Sequence, residues 1–145
     1  MINKKTMNRG VIMKTDNITL RFQDGFKGTL ESPTAKINIG KTDNGIQPYH
    51  MLYGALGSCF YATFLSVSEK MRLSFSKAVV EISGTKREET PATLNHVKVE
   101  LTVFNPSHQE KLIKAAQNGA KFCSIFETIS QVAEMELVVL FKEEA

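Results

Sequence analysis

The chain has 145 residues, a net charge of +3, and 42% hydrophobic against 23% charged residues. That length suits one domain with its own core, in the composition of an ordinary globular protein. Its lysines and arginines are scattered rather than gathered in a stripe, which argues against nucleic-acid partners, and its polar first ten residues lack the apolar stretch of a secretion signal.

No stretch is expected to reach the roughly 18 uncharged apolar residues of a membrane span. The chain is therefore expected in the cytoplasm, without a membrane partner. A lasting structural disulfide is out of place there, whereas a transient catalytic one is not.

Residues 1–16, which include Arg9 and a possible second start at Met13, show no periodicity and are expected to form a flexible extension. Residues 17–145 are expected to form a single domain. Ile18, Leu20 and Phe22 alternate with polar residues, the period of a half-buried strand. Asp24-Gly25 signals a turn. Phe26, Gly28 and Leu30 predict a second strand, and Ala35, Ile37 and Ile39 a third, together an antiparallel meander. After a loop ending at Pro48, a helix is predicted from Tyr49 to about Met71. It is apolar on nearly every face, so it is expected to be buried on most sides. Gly54, Gly57 and Ser58 are poor helix formers and predict close approach of another backbone.

Ala78, Val80 and Ile82 predict the next strand, and residues 84–91 a hairpin tip. Val97, Val99, Leu101 and Val103 form the cleanest alternation in the chain. Ser107 and Glu110 read as a capping box that opens a second helix, with Leu112, Ile113, Ala116 and Ala120 as its apolar face. A short helix follows Cys123, and Met135, Leu137, Val139 and Phe141 predict a last strand. The order is βββ-α-ββ-αα-β, an α+β fold with a long buried central helix.

Cys59 and Cys123 are the two thiols. A buried cysteine is commonly an inert small hydrophobe. The reactive form is the thiolate, and a free thiol ionises only near 8.5. Cys59 lies deep in its helix, too far along for that helix's dipole to help, so any activation must come from elsewhere in the fold. Cys123 sits between two predicted helices, where free backbone amides are expected to point at its sulfur and lower its pKa. There is no Cys-x-x-Cys, and His50, His96 and His108 do not fall at ligand spacing, so no metal and no cofactor are expected. His50 precedes Cys59 by about two and a half turns, on roughly the opposite face of the helix.

The run from Pro48 to Cys59, ending Ala-Leu-Gly-Ser-Cys, resembles the signature of the OsmC/Ohr family of osmotically induced and organic hydroperoxide resistance proteins. The segment Ala115 to Ile125, with Cys123 after an alanine-containing helix, is similar to the family's second motif. The resemblance spans roughly Ile18 to Phe141. It implies an intertwined homodimer, with two long helices back to back and active sites at the interface. It implies that Cys59 attacks a hydroperoxide and becomes a sulfenic acid, that Cys123 resolves it as a disulfide, and that a thiol or dithiol reductant restores the pair.

The chain also departs from the family pattern. Tyr49 and His50 occupy the positions of a family glutamate, and no arginine falls clearly in the place of the family's thiolate-stabilising one. Arg21 is the nearest in sequence, on the polar side of its strand. Ser124 stands where a proline often follows the second cysteine. His50, Tyr49 and Arg21 are thus candidate supporting residues, with His50 able to supply positive charge from a partner subunit. The expected function is a thiol-dependent peroxidase acting on organic or small hydroperoxides. The alternative is a stress-response or small-apolar-ligand-binding protein of the same fold without efficient turnover.

Overall fold

A computed structural model describes residues 12–145. Residues 1–11, with Arg9 and most of the expected extension, lie outside the described residues. The chain forms two compact units that divide between Pro48 and Tyr49.

The first unit holds β1 (Thr19–Phe22), β2 (Lys27–Glu31) and β3 (Lys36–Gly40), an antiparallel meander in that order, as the sequence predicts. Asp24 and Gly25 both take positive φ, 53° and 82°, in the turn between β1 and β2. The ladder sets Leu20 beside Leu30 and Leu30 beside Ile37, while Arg21, Thr29 and Asn38 share the other face. The sequence reading makes β1 half-buried, and the structure leaves it exposed along its length. Leu20 is 44% exposed and Phe22 50%. A three-stranded sheet has an apolar face but no second layer of its own to bury it.

The second unit holds α1, whose first residue is the boundary Pro48 (Pro48–Lys70), then β4 (Lys77–Lys86), β5 (Leu94–Phe104), α2 (Gln109–Phe122), α3 (Ser124–Ser130) and β6 (Glu134–Lys142). The element order is the predicted one. β5 is central, antiparallel to β4 and parallel to β6. A parallel neighbour needs a crossover, and α2 with α3 provides it. Every second residue of β5, from Val97 to Val103, is fully buried. The hairpin tip is shorter than expected, because Gly84, Thr85 and Lys86 still pair with β5.

Contrary to expectation, α1 is long and apolar enough to cross a membrane by length and composition, with no Asp, Glu, Lys or Arg from Pro48 to Ser68. Here it is a core helix. Leu56, Phe60 and Phe64 are buried in one cluster with Val97, Val99 and Leu101 of β5 and Leu112, Ala115 and Ala116 of α2. Burial on most sides is not what the single chain shows, however. Gly54, Ser58, Ala62 and Ser66, one helical face, are exposed. Among the described residues no backbone approaches Gly54 or Gly57 closely: a Cβ on Gly54 would meet none of them within 4 Å, and one on Gly57 would touch Ile82 and Val80 side chains at 3.6 Å. The close approach is at Gly119 of α2, where a Cβ would stand 3.1 Å from the Phe64 backbone.

The start of α2 also differs from the capping-box reading. The cap is His108, whose Nδ1 accepts the Lys111 N–H at 3.3 Å. Ser107 is occupied outside the helix. Its hydroxyl accepts the Ser74 N–H at 2.9 Å, and its own N–H donates to the Ser74 carbonyl at 2.9 Å.

Candidate active site

Three elements of the second unit bring the two cysteines together. α1 carries Cys59, which is half-buried, just before the fully buried Phe60. The α2–α3 junction carries Cys123, which is 1% exposed. At φ −80° and ψ 115°, Cys123 is the one extended residue between two helices. Its N–H donates to the Ala120 carbonyl at 3.4 Å and closes α2. Its sulfur accepts the Phe126 N–H at 3.4 Å and opens α3. One residue thus caps both helices, and this fixes where its side chain points.

Both cysteines are free thiols, and each shifts the acidity of the other. Burial pushes the Cys59 thiol up. Against that act hydrogen bonds from the Cys123 thiol, the Ile125 N–H, the Ser124 hydroxyl and the Ser124 N–H, and together they hold its pKa below the ordinary thiol value. Burial also pushes the Cys123 thiol up. Its hydrogen bond to Cys59 and the charge that Cys59 acquires raise it further, and the Phe126 and Ile125 amides do not offset this. The two sulfurs are therefore driven apart in acidity: Cys59 ionises first and Cys123 keeps its proton.

This corrects the reading of Cys123 as the sulfur whose pKa the junction lowers. The amides do lie at that junction, but Ser124 serves Cys59, and the Cys123 thiol itself is a donor. Ser124 and Ile125, to which the sequence reading gave no part in the thiol chemistry, lower the Cys59 pKa. Which sulfur they act on is a matter of tertiary structure.

Of the three candidate supporting residues, Tyr49 and His50 stand in the first turn of α1 and Arg21 on β1 of the first unit. Tyr49 is half-buried at the start of α1, edge-on to Tyr53 at 5.9 Å between ring centroids, with the Lys86 Nζ 4.5 Å from its ring centroid. His50 is exposed in the first turn of α1. Arg21 is paired within its own sheet, its Nε 3.5 Å from a Glu31 carboxylate oxygen.

The family model for OsmC-like proteins matches residues 40–138, a span that includes both cysteines. The chain belongs to the OsmC-like protein family. Among curated proteins no relative matches it significantly. Among solved structures it is similar to a hypothetical protein from Aquifex aeolicus VF5, at TM-score 0.82 and 17% identity over 92% of this chain and 100% of that one. It is also similar to the OsmC-like protein of Mycoplasma pneumoniae, at TM-score 0.79 and 17% identity over 90% and 99% of the two chains. The organic hydroperoxide resistance protein OhrB of Bacillus subtilis aligns at TM-score 0.62 and 17% identity, over 87% of this chain and 98% of that one. At such identities the likeness establishes the OsmC-like fold.

Proposed function

We propose that this OsmC-like protein is a thiol-dependent peroxidase acting on organic or small hydroperoxides. The observation that carries the reading is that the two thiols act on each other, with the pKa of Cys59 lowered and that of Cys123 raised. The Cys59 thiolate attacks the O–O bond of ROOH and takes one oxygen as a sulfenic acid. The other oxygen leaves as an alkoxide and collects a proton to become ROH. The Cys123 thiol then condenses with the sulfenic acid, forming the Cys59–Cys123 disulfide and releasing water. Two electrons have passed from the thiol pair to the peroxide, and an external dithiol returns them by exchange. Because Cys123 is close enough to act on the acidity of Cys59, it is placed to resolve the sulfenic acid in this reading.

The same reading extends to a homodimer. Gly54, Ser58, Ala62 and Ser66 form an exposed small-residue face on α1, against which a second α1 could pack closely. The exposed apolar residues of the β1–β3 sheet likewise call for cover. An apolar cleft of about 340 Å³, lined by Tyr53, Tyr61, Val80 and Ile82, also includes Gly54 and Ser58. The dimer proposal assigns that cleft to the partner copy.

The test of the catalytic reading is steady-state consumption of an aromatic hydroperoxide with a dithiol reductant. The wild-type protein is expected to turn over. Cys59→Ser is expected to lose at least a hundredfold, since a serine hydroxyl does not ionise in this range. Equal activity in the two proteins would remove the peroxidase reading.

A further inference from the structure

Arg87 stands just past the end of β4, on the hairpin that leads into β5. The ladder shifts register there: Thr85 pairs with His96 but Lys86 with Leu94, so Asn95 is an extra residue on β5. Such a bulge bends the strand and re-aims the side chains beside it. The Arg87 N–H closes the hairpin on the Thr93 carbonyl at 2.8 Å, and its half-buried side chain reaches past the start of β5. Nη1 donates to the Thr93 hydroxyl at 3.1 Å and to the Leu94 carbonyl, and Nη2 donates to the Val132 carbonyl at 2.9 Å. Among the described residues Arg87 pairs with no carboxylate, so backbone oxygens hold its charge.

The two carbonyls occupy matching places. His96 and Glu134 are the first pair of the β5–β6 ladder, and Leu94 and Val132 each lie two residues earlier. The guanidinium bridges the two segments where the ladder stops, which its planar fork allows and a single ammonium does not. Val132 also belongs to the turn that ends α3. The N–H groups of Val132 and Ala133 donate to the Ile129 carbonyl at 3.0 and 3.1 Å, and a cation suits this end of a helix. α3 has seven residues, fewer than the roughly 12 that an isolated helix needs to persist in water. It is held at its start by the Cys123 sulfur, which accepts the Phe126 N–H at 3.4 Å, along its length by the buried Ile129, and behind its end by Arg87. Cys123, Ile129 and Ala133 belong to one buried cluster, and Cys59 packs against that cluster.

We propose that Arg87 is a positioning residue: by gripping the Val132 carbonyl behind α3 it fixes that helix, and with it the Cys123 thiol at the helix's other end, for disulfide formation with Cys59. This role rests on the peroxidase reading, which makes the two sulfurs partners, and adds what keeps one of them in place. Without the guanidinium, α3 keeps its Cys123 cap but loses the anchor at its far end. The short helix then shifts more freely, and the Cys123 sulfur spends less time within reach of Cys59.

The experiment is equilibration of the reduced full-length protein with glutathione buffers of graded redox ratio, quenched with acid and read by mass spectrometry. Oxidised glutathione takes two electrons and two protons from the thiol pair, which leaves the Cys59–Cys123 disulfide and two molecules of reduced glutathione. The ratio at half-oxidation gives the effective concentration of one cysteine towards the other. Arg87→Ala is expected to lower it about tenfold, and Arg87→Lys about threefold, because the ammonium keeps the charge without the fork. If circular dichroism shows that Arg87→Ala does not fold, Arg87→Lys carries the comparison alone. Asn105→Gly is the control for general loosening. Asn105 lies at the other end of β5, where its Nδ2 donates to the Ser76 hydroxyl and the Glu144 carbonyl at 3.0 Å each, and its φ of 52° suits glycine. That variant is expected to melt at a lower temperature with the wild-type effective concentration. Wild-type values in the Arg87 variants, an equal loss in Asn105→Gly, or a wild-type protein that forms no disulfide at any ratio would each overturn the role of Arg87. Hydroperoxide consumption is measured alongside. A wild-type protein that forms the disulfide with glutathione but leaves hydroperoxide unconsumed would overturn the peroxidase reading instead, so the two failures are distinguishable.

Discussion

Cys123 caps both α2 and α3, lowers the pKa of Cys59 and, in the proposed cycle, condenses with it. These roles separate on substitution. Cys123→Ser keeps a hydrogen-bonding side chain at the cap but cannot form a disulfide. With excess hydroperoxide, its Cys59 is expected to pass beyond the sulfenic acid to the irreversible sulfinic acid, seen as a gain of two oxygens in the mass of the Cys59 peptide. The wild-type protein is expected to stop at the disulfide under the same treatment. The pH dependence has a definite sign. The lowered Cys59 pKa means that its thiolate, and so its reaction rate, rises at lower pH than for an unperturbed thiol near 8.5. If Cys123→Ser accumulated no more sulfinic acid than wild type, Cys123 would not be the resolving residue.

α1 is the element that reading by periodicity served both well and badly. Its existence and extent were legible, because an uncharged run opened by Pro48 and ended by Glu69-Lys70 admits little else. Its surroundings were not. Leu56, Phe60 and Phe64 face the core, but the small residues Gly54, Ser58, Ala62 and Ser66 face outwards. An apolar or small side chain does not say whether it meets its own chain or a second one. The dimer proposal makes that face an interface, and Ala62→Arg tests it. In sedimentation velocity at micromolar concentration, the wild-type protein is expected to be a dimer and the arginine variant a monomer. Identical sedimentation of the two would mean that α1 does not form the contact. Gly119 shows the same limit from the other side. Its sequence context is an ordinary helix, and only the crossing of α2 over Phe64 shows why a side chain is unwelcome there. The parallel β5–β6 pairing was likewise not read from the strands. It follows from the crossover of α2 and α3, a tertiary fact.

At the scale of the molecule, the OsmC-like architecture persists at 17% identity to proteins that superpose at TM-scores up to 0.82. What the fold needs is pattern: alternation in β5, an uncharged α1, and an extended residue between α2 and α3. What the chemistry needs is more particular, and a fold does not by itself supply it. The two motifs around Cys59 and Cys123 were visible in the sequence. The opposite shifts of the two thiols were not, because they depend on which groups the fold brings to each sulfur. The most direct test of the whole account is the mass of the reduced protein after one equivalent of hydroperoxide. The predicted result is a loss of two hydrogens, with one cross-linked peptide pair joining Cys59 to Cys123 and the peroxide converted to its alcohol. Two free thiols beside unreacted peroxide would contradict it.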